Sequence, residues 1–176
     1  MAVLLLATPM AAQGQEAQSS IEQRLQQVED QLAIQRILIE YSARLDAHDV
    51  DGYVDLFAQN GVWQNGNLKF TGPDEIRGLL VGMFGETPAG FVNSESYHIT
   101  TNPQVDVRGD TATARSRHLL IRRGENGAPT PTLAGLYEDE LIRESGEWKI
   151  LRRVDNPIMP NREEWSEQMR RRREGQ

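Results

Sequence analysis

Residues 111–122 read TATARSRHLLIR, and their side chains alternate in character with a period of two. One face of this stretch carries Ala112, Ala114, Ser116, His118 and Leu120. The opposite face is mostly threonine and arginine. A period of two is the pattern of a β-strand that buries one face and exposes the other. The stretch therefore predicts a half-buried strand with a histidine on its buried face.

Further strands are predicted on both sides of this stretch. Residues 97–107 read as a strand that Pro103 interrupts or places at a sheet edge. Downstream, residues 133–142 and 148–154 read as two strands joined by a tight turn at Ser145-Gly146. The second half of the chain is thus predicted to form consecutive antiparallel strands.

A long helix is predicted over residues 18–47, upstream of all the strands. The apolar residues in its first half recur at spacings of four and three and form one stripe: Ile21, Leu25, Val28 and Leu32. The stripe is narrow and its surroundings are polar. This pattern predicts packing against a partner subunit rather than against the protein's own core.

Two shorter helices follow, with a short strand between them at residues 61–64. Asp49 is a good N-cap for a helix over residues 50–57, and Gly72-Pro73 opens a helix that runs to about Phe84. Helices followed by consecutive antiparallel strands indicate an α+β fold, with one curved sheet and helices on one of its faces.

The 176 residues suffice for a single domain. We assign residues 18–158 to this domain and residues 159–176 to an Arg/Glu-rich C-terminal tail. Residues 1–17 form a leader whose apolar run and small residues resemble a signal peptide, although it lacks a basic start. A signal peptide predicts a periplasmic or secreted protein, and a plain disordered leader predicts a cytoplasmic one. No segment reaches the roughly 18–20 apolar residues of a membrane span, so no membrane association is expected of the mature form.

Charge and residue counts exclude several kinds of function. The chain has 19 basic and 26 acidic residues, for a net charge of −7, which argues against a nucleic-acid partner. It has no cysteine, which removes thiolate nucleophiles and cysteine-bound metals. The three histidines, His48, His98 and His118, lack metal-ligand spacing, and no cofactor or metal is expected.

Seven short segments, in their order and spacing, resemble the SnoaL-like branch of the nuclear transport factor 2-like superfamily. These segments are residues 33–35, 41–46, 49–58, 70–76, 97–102, 134–140 and 146–150. The pattern is nearest to scytalone dehydratase, the bile-acid dehydratase and hexachlorocyclohexane dehydrochlorinase. The resemblance implies a cone-shaped, mixed but mainly antiparallel sheet with helices and a pocket on its concave side. It also implies a lyase that uses no cofactor.

The same resemblance implies four catalytic residues. His98 matches the catalytic histidine, and Asp46 matches the aspartate that holds such a histidine. Asp46 also ends a helix, where an acid opposes the helix dipole unless it has a partner. Tyr41 matches a residue that assists an oxygen atom, and His118 matches a second histidine. The sequence leaves open whether Asp46 holds His98 or His118. Each of the four has an ordinary structural role as its alternative.

Four further residues are expected to bind the substrate. Tyr137 falls where scytalone dehydratase has a pocket asparagine, and Asn65 stands near the position of the aspartate base in ketosteroid isomerase, which shares the fold. Trp63 is expected to line the pocket wall, with a place in the core as its alternative. An arginine of the last strand would bind an anionic oxygen. A two-residue turn at Ser145-Gly146 places Arg152 opposite Asp139, whereas a shift of one residue brings Arg153 beside Tyr137 instead. We favour Arg152. His48 is expected at the surface.

These residues predict a cofactor-independent lyase or isomerase of the dehydratase type. Its substrate would be a small, hydrophobic, oxygenated molecule from which a His–Asp pair removes a proton. The alternatives are a non-catalytic binding module of the same fold, and an enzyme resembling polyketide cyclases or ring hydroxylases. A homo-oligomer, either a dimer or a trimer, is expected because the stripe on the first helix needs cover.

Overall fold

The protein is described by a computed structural model that covers residues 10–174. Four helices are present: α1 (Met10–Asp46), α2 (Val50–Asp55), α3 (Gly72–Phe84) and α4 (Arg162–Glu174). Residues 1–9 of the expected leader lie outside the described part. Helix α1 begins at Met10, eight residues before its predicted start, so the rest of that leader is helical.

Six strands form one curved sheet. They are β1 (Phe57–Asn65), β2 (Leu68–Thr71), β3 (Ser96–Arg108), β4 (Thr111–Arg123), β5 (Pro129–Glu144) and β6 (Glu147–Met159). Their spatial order is β2-β1-β6-β5-β4-β3. Only the β1–β6 pair is parallel, so the sheet is mixed, as the α+β prediction required.

The helices cover one face of the sheet. Helix α1 lies against β3 and β6, and α3 lies against β1. The core between these layers contains Ile34 and Leu38 from α1, Ile76 and Leu80 from α3, and Ile150 from β6. None of the described helices is long and apolar enough to cross a membrane.

Several element boundaries differ from the sequence-based expectation. Helix α2 ends at Asp55, two residues before its predicted end. Phe57 is instead the first residue of β1, and its side chain is buried. The short strand expected at residues 61–64 is part of the longer β1, and β2 was not predicted. Strand β6 continues to Met159, five residues beyond its predicted end. The predicted break at Pro103 is confirmed, because the β3–β4 register shifts there and β3 is an edge strand.

A bulge in the β5–β6 pair decides which arginine faces inward. Glu140 pairs with Arg152, but the next residue of β5, Leu141, pairs with Ile150. One extra residue therefore lies in β6, and Arg153 pairs with Asp139. This is the one-residue shift that the sequence left as the alternative.

Candidate active site

A cavity of about 550 Å³ opens between the concave face of the sheet and the ends of α1 and α3. Its wall is largely apolar, with side chains that include Leu79, Met83, Phe84, Phe91, Leu120 and Leu133. Trp63 also lines the cavity, and its polar lining includes Tyr41, Asp46, Asn65, His98, His118, Tyr137 and Asp155, together with His48, Asn93, Ser94, Glu95, Ser96 and Arg122. The volume and the mixture of a wide apolar wall with a few polar groups are those of a small-molecule site.

Asp46 and His98 form a close pair at one end of this cavity. The Oδ1 atom of Asp46 lies 2.7 Å from Nδ1 of His98, and its Oδ2 atom accepts the backbone N–H of His98 at 2.7 Å. Both side chains are less than one-fifth exposed. Because the carboxylate only accepts, Nδ1 carries the proton and Nε2 keeps a lone pair. Within residues 10–174, Nε2 has no hydrogen-bond partner.

The fold brings this pair together from distant parts of the chain. Asp46 is the last residue of α1, and a 2.6 Å hydrogen bond between the hydroxyls of Ser42 and Thr100 ties that turn of α1 to β3. His98 lies two residues before Thr100 and so shares its face of the strand. Of the two pairings that the sequence left open, the structure has Asp46 with His98.

His118 belongs to a second histidine–carboxylate pair. Its Nε2 atom lies 3.0 Å from Oδ1 of Asp155, and its ring stacks on Tyr137 with centroids 4.0 Å apart. Gly135 makes room for the ring, since a Cβ there would lie 2.2 Å from Nε2 of His118. The other nitrogen, Nδ1, is buried without a partner among the described residues. His118 lines the cavity, but its side chain is only 1% exposed and Asp155 occupies its Nε2. This burial favours a supporting role over the direct role in proton transfer that the sequence suggested.

A chain of hydrogen bonds links this second pair to the C-terminal helix. Asn65 donates to Oδ2 of Asp155 at 3.0 Å, and Arg162 of α4 donates to Oδ1 of Asn65 at 2.6 Å. Sequence reasoning missed both Asp155 and Arg162. The alternation of β6 could have revealed Asp155, because the register that turns Arg153 inward also turns Asp155 inward.

Tyr41 lies at the base of the cavity with its hydroxyl held by two neighbours. Nε1 of Trp63 donates to that hydroxyl at 2.8 Å. Burial raises the pKa of Tyr41 above its usual value, and Arg153 and hydrogen bonds from Tyr53 and Trp63 oppose the rise. Burial raises the pKa of Tyr137 still further. Both phenols therefore stay protonated at neutral pH, and Tyr41 keeps its own hydrogen available for donation.

The structure corrects the choice of Arg152. Its side chain is 44% exposed, contacts Glu140 and Gln64, and does not line the cavity. Arg153 is fully buried, and Asp139 accepts two of its N–H groups at 2.6 and 2.8 Å. The reason is the bulge in β6, which turns Arg153 rather than Arg152 toward the interior.

Arg153 supports the two tyrosines from below. Its guanidinium carbon lies 3.8 Å from the ring centroid of Tyr41 and 4.5 Å from that of Tyr137. Burial alone would lower the pKa of Arg153, but Asp139 raises it above its usual value. The cation is thus permanent and paired with Asp139 through Nε and Nη2, whereas its Nη1 is buried with no hydrogen-bond partner among the described residues. Its position under the two rings indicates a supporting role.

His48 is only partly exposed, whereas the sequence suggested a residue at the surface. Its ring lies between Phe84 and Phe91, with centroids 3.8 and 4.2 Å away, and it lines the cavity. The helix ends just before it, and its φ of 54° turns the chain so that the ring faces α3. Burial lowers the pKa of His48 below 6.5, and the charge of Asp46 opposes this shift.

This lowered pKa predicts a pH-dependent stability. Between about pH 7.5 and 5.0 the unfolded chain protonates His48 more readily than the folded chain does, so the stability from this residue falls as pH falls. A His48→Phe variant keeps the stack but cannot titrate. We expect its free energy of unfolding, measured in urea at both pH values, to fall less than that of the wild type. The positive φ disfavours Phe equally at both pH values, so an equal fall in both proteins would contradict the prediction.

In the described part of the chain, no three histidine, aspartate or glutamate side chains converge as a metal site. Each histidine of the two pairs, His98 with Asp46 and His118 with Asp155, hydrogen-bonds a carboxylate through one ring nitrogen. The chemistry that these residues can perform by themselves is proton transfer from carbon, assisted by hydrogen bonds to oxygen.

Comparisons with known proteins agree with this architecture. The sequence profile of a family described as SnoaL-like domain matches residues 26–154. An uncharacterized protein of Mycobacterium tuberculosis is 27% identical over 141 residues, which cover 73% of this chain and 86% of that protein.

Three solved structures from Novosphingobium aromaticivorans share the fold. A nuclear transport factor 2-like protein with a cystatin-like fold superposes with a TM-score of 0.70 at 23% identity, covering 80% of this chain and 89% of that one. A candidate scytalone dehydratase gives 0.61 at 28% identity, covering 75% and 86%. A candidate aromatic ring hydroxylase gives 0.63 at 28% identity, covering 76% and 92%.

Proposed function

This chain belongs to the SnoaL-like domain family, and on that premise we propose that it is a cofactor-independent lyase or isomerase of the dehydratase type. The observation that carries the proposal is the Asp46–His98 pair, whose unoccupied Nε2 stands at a cavity of about 550 Å³. The substrate is a small, hydrophobic, oxygenated molecule, because the cavity wall is largely apolar but also carries polar side chains.

His98 is the general base of the proposed reaction. Its Nε2 lone pair takes a proton from the carbon next to a carbonyl group, and the C–H electrons form a C=C bond. The C–O bond to a β-hydroxyl group breaks, and the imidazolium returns the proton to the departing hydroxide, which leaves as water. Asp46 stabilises the imidazolium while it exists and keeps the ring in the reactive tautomer.

Tyr41 stabilises the oxygen that gains negative charge. Trp63 donates to its oxygen, and its own O–H donates to a substrate oxygen in the proposed reaction. Its raised pKa keeps it a donor rather than a phenolate at neutral pH. One such donor in a dry site is worth roughly 10²–10³ in rate. Trp63, Asn65 and Tyr137 shape the rest of the pocket, and His118 with Asp155 holds Tyr137 in place.

The test uses a panel of β-hydroxy ketones on cyclic and aromatic skeletons. Dehydration creates a conjugated enone, whose ultraviolet absorbance reports turnover directly. We expect turnover by the wild type and by an Asp51→Asn variant, which changes an exposed aspartate in the first turn of α2. Asp46→Asn should abolish it. Binding of panel compounds with no product in any protein would contradict the proposal and favour a non-catalytic binding module.

A further inference from the structure

Helix α1 carries a second apolar face that nothing in the described chain covers. Its inward face buries Ile34 and Leu38. On the opposite face lie five apolar side chains that are each more than half exposed, and we call them the outer stripe: Ile21, Leu25, Val28, Leu32 and Ile39. Single exposed apolar residues are ordinary, but a contiguous row of them marks an interaction surface.

The spacing of the outer stripe is that of a coiled coil. Its members follow one another at intervals of four, three, four and seven residues, which fit alternate core positions of a heptad. The stripe spans 18 residue steps, or about 27 Å of helix at 1.5 Å per residue. Because the period stays close to 3.5, the row remains on one side of the helix and can meet a second helix along its whole length.

The first half of the described helix also lacks tertiary support. Every side chain from Ser20 to Glu29 is exposed, and Asp30 is the first buried one. Helices gain most of their stability from packing of an apolar face, and unsupported helical stretches are marginal in water. This part of α1 therefore needs a partner that the protein's own sheet does not provide.

We propose that the outer stripe is the surface through which further copies of this chain associate, with their α1 helices parallel. In that arrangement each stripe residue packs against the same residue of another copy. In a parallel coiled coil, a residue beside the core of one helix faces the residue five positions later on the other helix. Arg24 of one copy then faces Glu29 of another. In the described part of the chain neither has an ion-pair partner of its own.

Two further features favour a like helix over another occupant. The core position between Leu32 and Ile39 is occupied by a polar residue, Gln35. A single polar residue in the core of a coiled coil fixes how identical helices align along their length. Leucine at one core position with isoleucine and valine at the other favours assemblies of more than two strands. The experiment therefore determines how many copies assemble as well as whether they assemble.

The first experiment compares masses by sedimentation velocity and light scattering at about 10–100 µM. We expect the wild type to form a closed oligomer, and a Leu25→Lys/Leu32→Lys variant to dissociate at least about 100-fold more readily. The matched control, Gln23→Lys/Gln27→Lys, adds the same charge to the same helix away from the stripe and should stay oligomeric. Circular dichroism and urea unfolding verify that the domain itself stays folded.

The second experiment tests orientation by charge reversal. Arg24→Glu alone should weaken the assembly, because it places two acids opposite each other, and Glu29→Arg alone should weaken it as well. The double variant Arg24→Glu/Glu29→Arg restores the attraction and should recover the wild-type mass. A monomeric wild type, or an oligomer that survives the lysine substitutions, would overturn the proposal. Loss of assembly by the lysine variant without recovery in the double variant would overturn the parallel arrangement.

Discussion

Replacement of His98 by alanine is expected to lower turnover by about 10²–10⁴-fold, the usual contribution of a positioned general base. The variant removes Nε2, the atom that takes the proton from carbon in the proposed reaction. It leaves Tyr41 and the apolar wall untouched. The value to measure is kcat on a compound that the dehydration panel identifies, with product followed by enone absorbance.

Structural damage has to be separated from lost chemistry in this variant. His98 lies near the start of β3, an edge strand, and is partly exposed, so its loss should change the free energy of unfolding little. Binding of panel compounds, followed by ligand-detected NMR, should persist because the cavity wall is unchanged. Full turnover by a folded His98→Ala protein would remove His98 from the mechanism.

The largest effect on stability is expected from Asp139→Ala. Arg153 is fully buried and Asp139 is its paired carboxylate, so the variant leaves an uncompensated cation inside the protein. Breaking a buried pair in this way costs about 3–5 kcal/mol. Urea unfolding at neutral pH measures the loss. The variant also disturbs the stacking of Arg153 on the rings of Tyr41 and Tyr137, so the base of the cavity is expected to change shape.

Two controls separate the buried pair from ordinary surface charge. Glu140→Ala removes the partner of the neighbouring Arg152, which is partly exposed, and should cost less than about 1 kcal/mol. The double variant Asp139→Leu/Arg153→Met removes both charges and should recover most of the loss, because no lone charge remains buried. An equal loss in Asp139→Ala and Glu140→Ala would contradict the account of Arg153.

Local pattern explains why so much of the fold was predictable. The alternation of residues 111–122 and the turn at Ser145-Gly146 both depend on neighbours in the sequence, and both are confirmed. Asp49 caps α2 through the backbone N–H of Gly52, as its type and position predicted. The family resemblance and an acid at a helix end without a local partner predicted that Asp46 holds a histidine, but left His98 and His118 as alternatives. The structure pairs Asp46 with His98, 52 residues away.

The failed expectations depend on contacts that local pattern does not encode. The bulge in β6 reverses the choice between Arg152 and Arg153, and it arises from how two strands pair over their length. His48 looked exposed because two acids flank it, but Phe84 and Phe91 arrive from other elements and enclose its ring. Asp155 was overlooked as the partner of His118 because the two lie 37 residues apart on different strands.

The central claim is that Asp46 holds His98 in the tautomer whose Nε2 lone pair is free for substrate. Both oxygens of Asp46 accept hydrogen bonds from His98, one from Nδ1 and one from the backbone N–H. An asparagine has only one such acceptor. If that oxygen takes the backbone N–H, its NH₂ group must donate to Nδ1 and drive the ring into the opposite tautomer. A wrong tautomer of this kind can cost about 10⁴-fold in kcat.

The most direct test is therefore the tautomer of His98, read from imidazole ¹⁵N chemical shifts at about pH 8.5, where neutral rings dominate. The His98→Ala spectrum identifies which signals belong to this residue. We expect the wild type to show a proton on Nδ1 and an unprotonated Nε2, and Asp46→Asn to show the reverse. A wild-type ring protonated on Nε2, or the same tautomer in both proteins, would contradict the assignment of Asp46 and His98 as the catalytic pair.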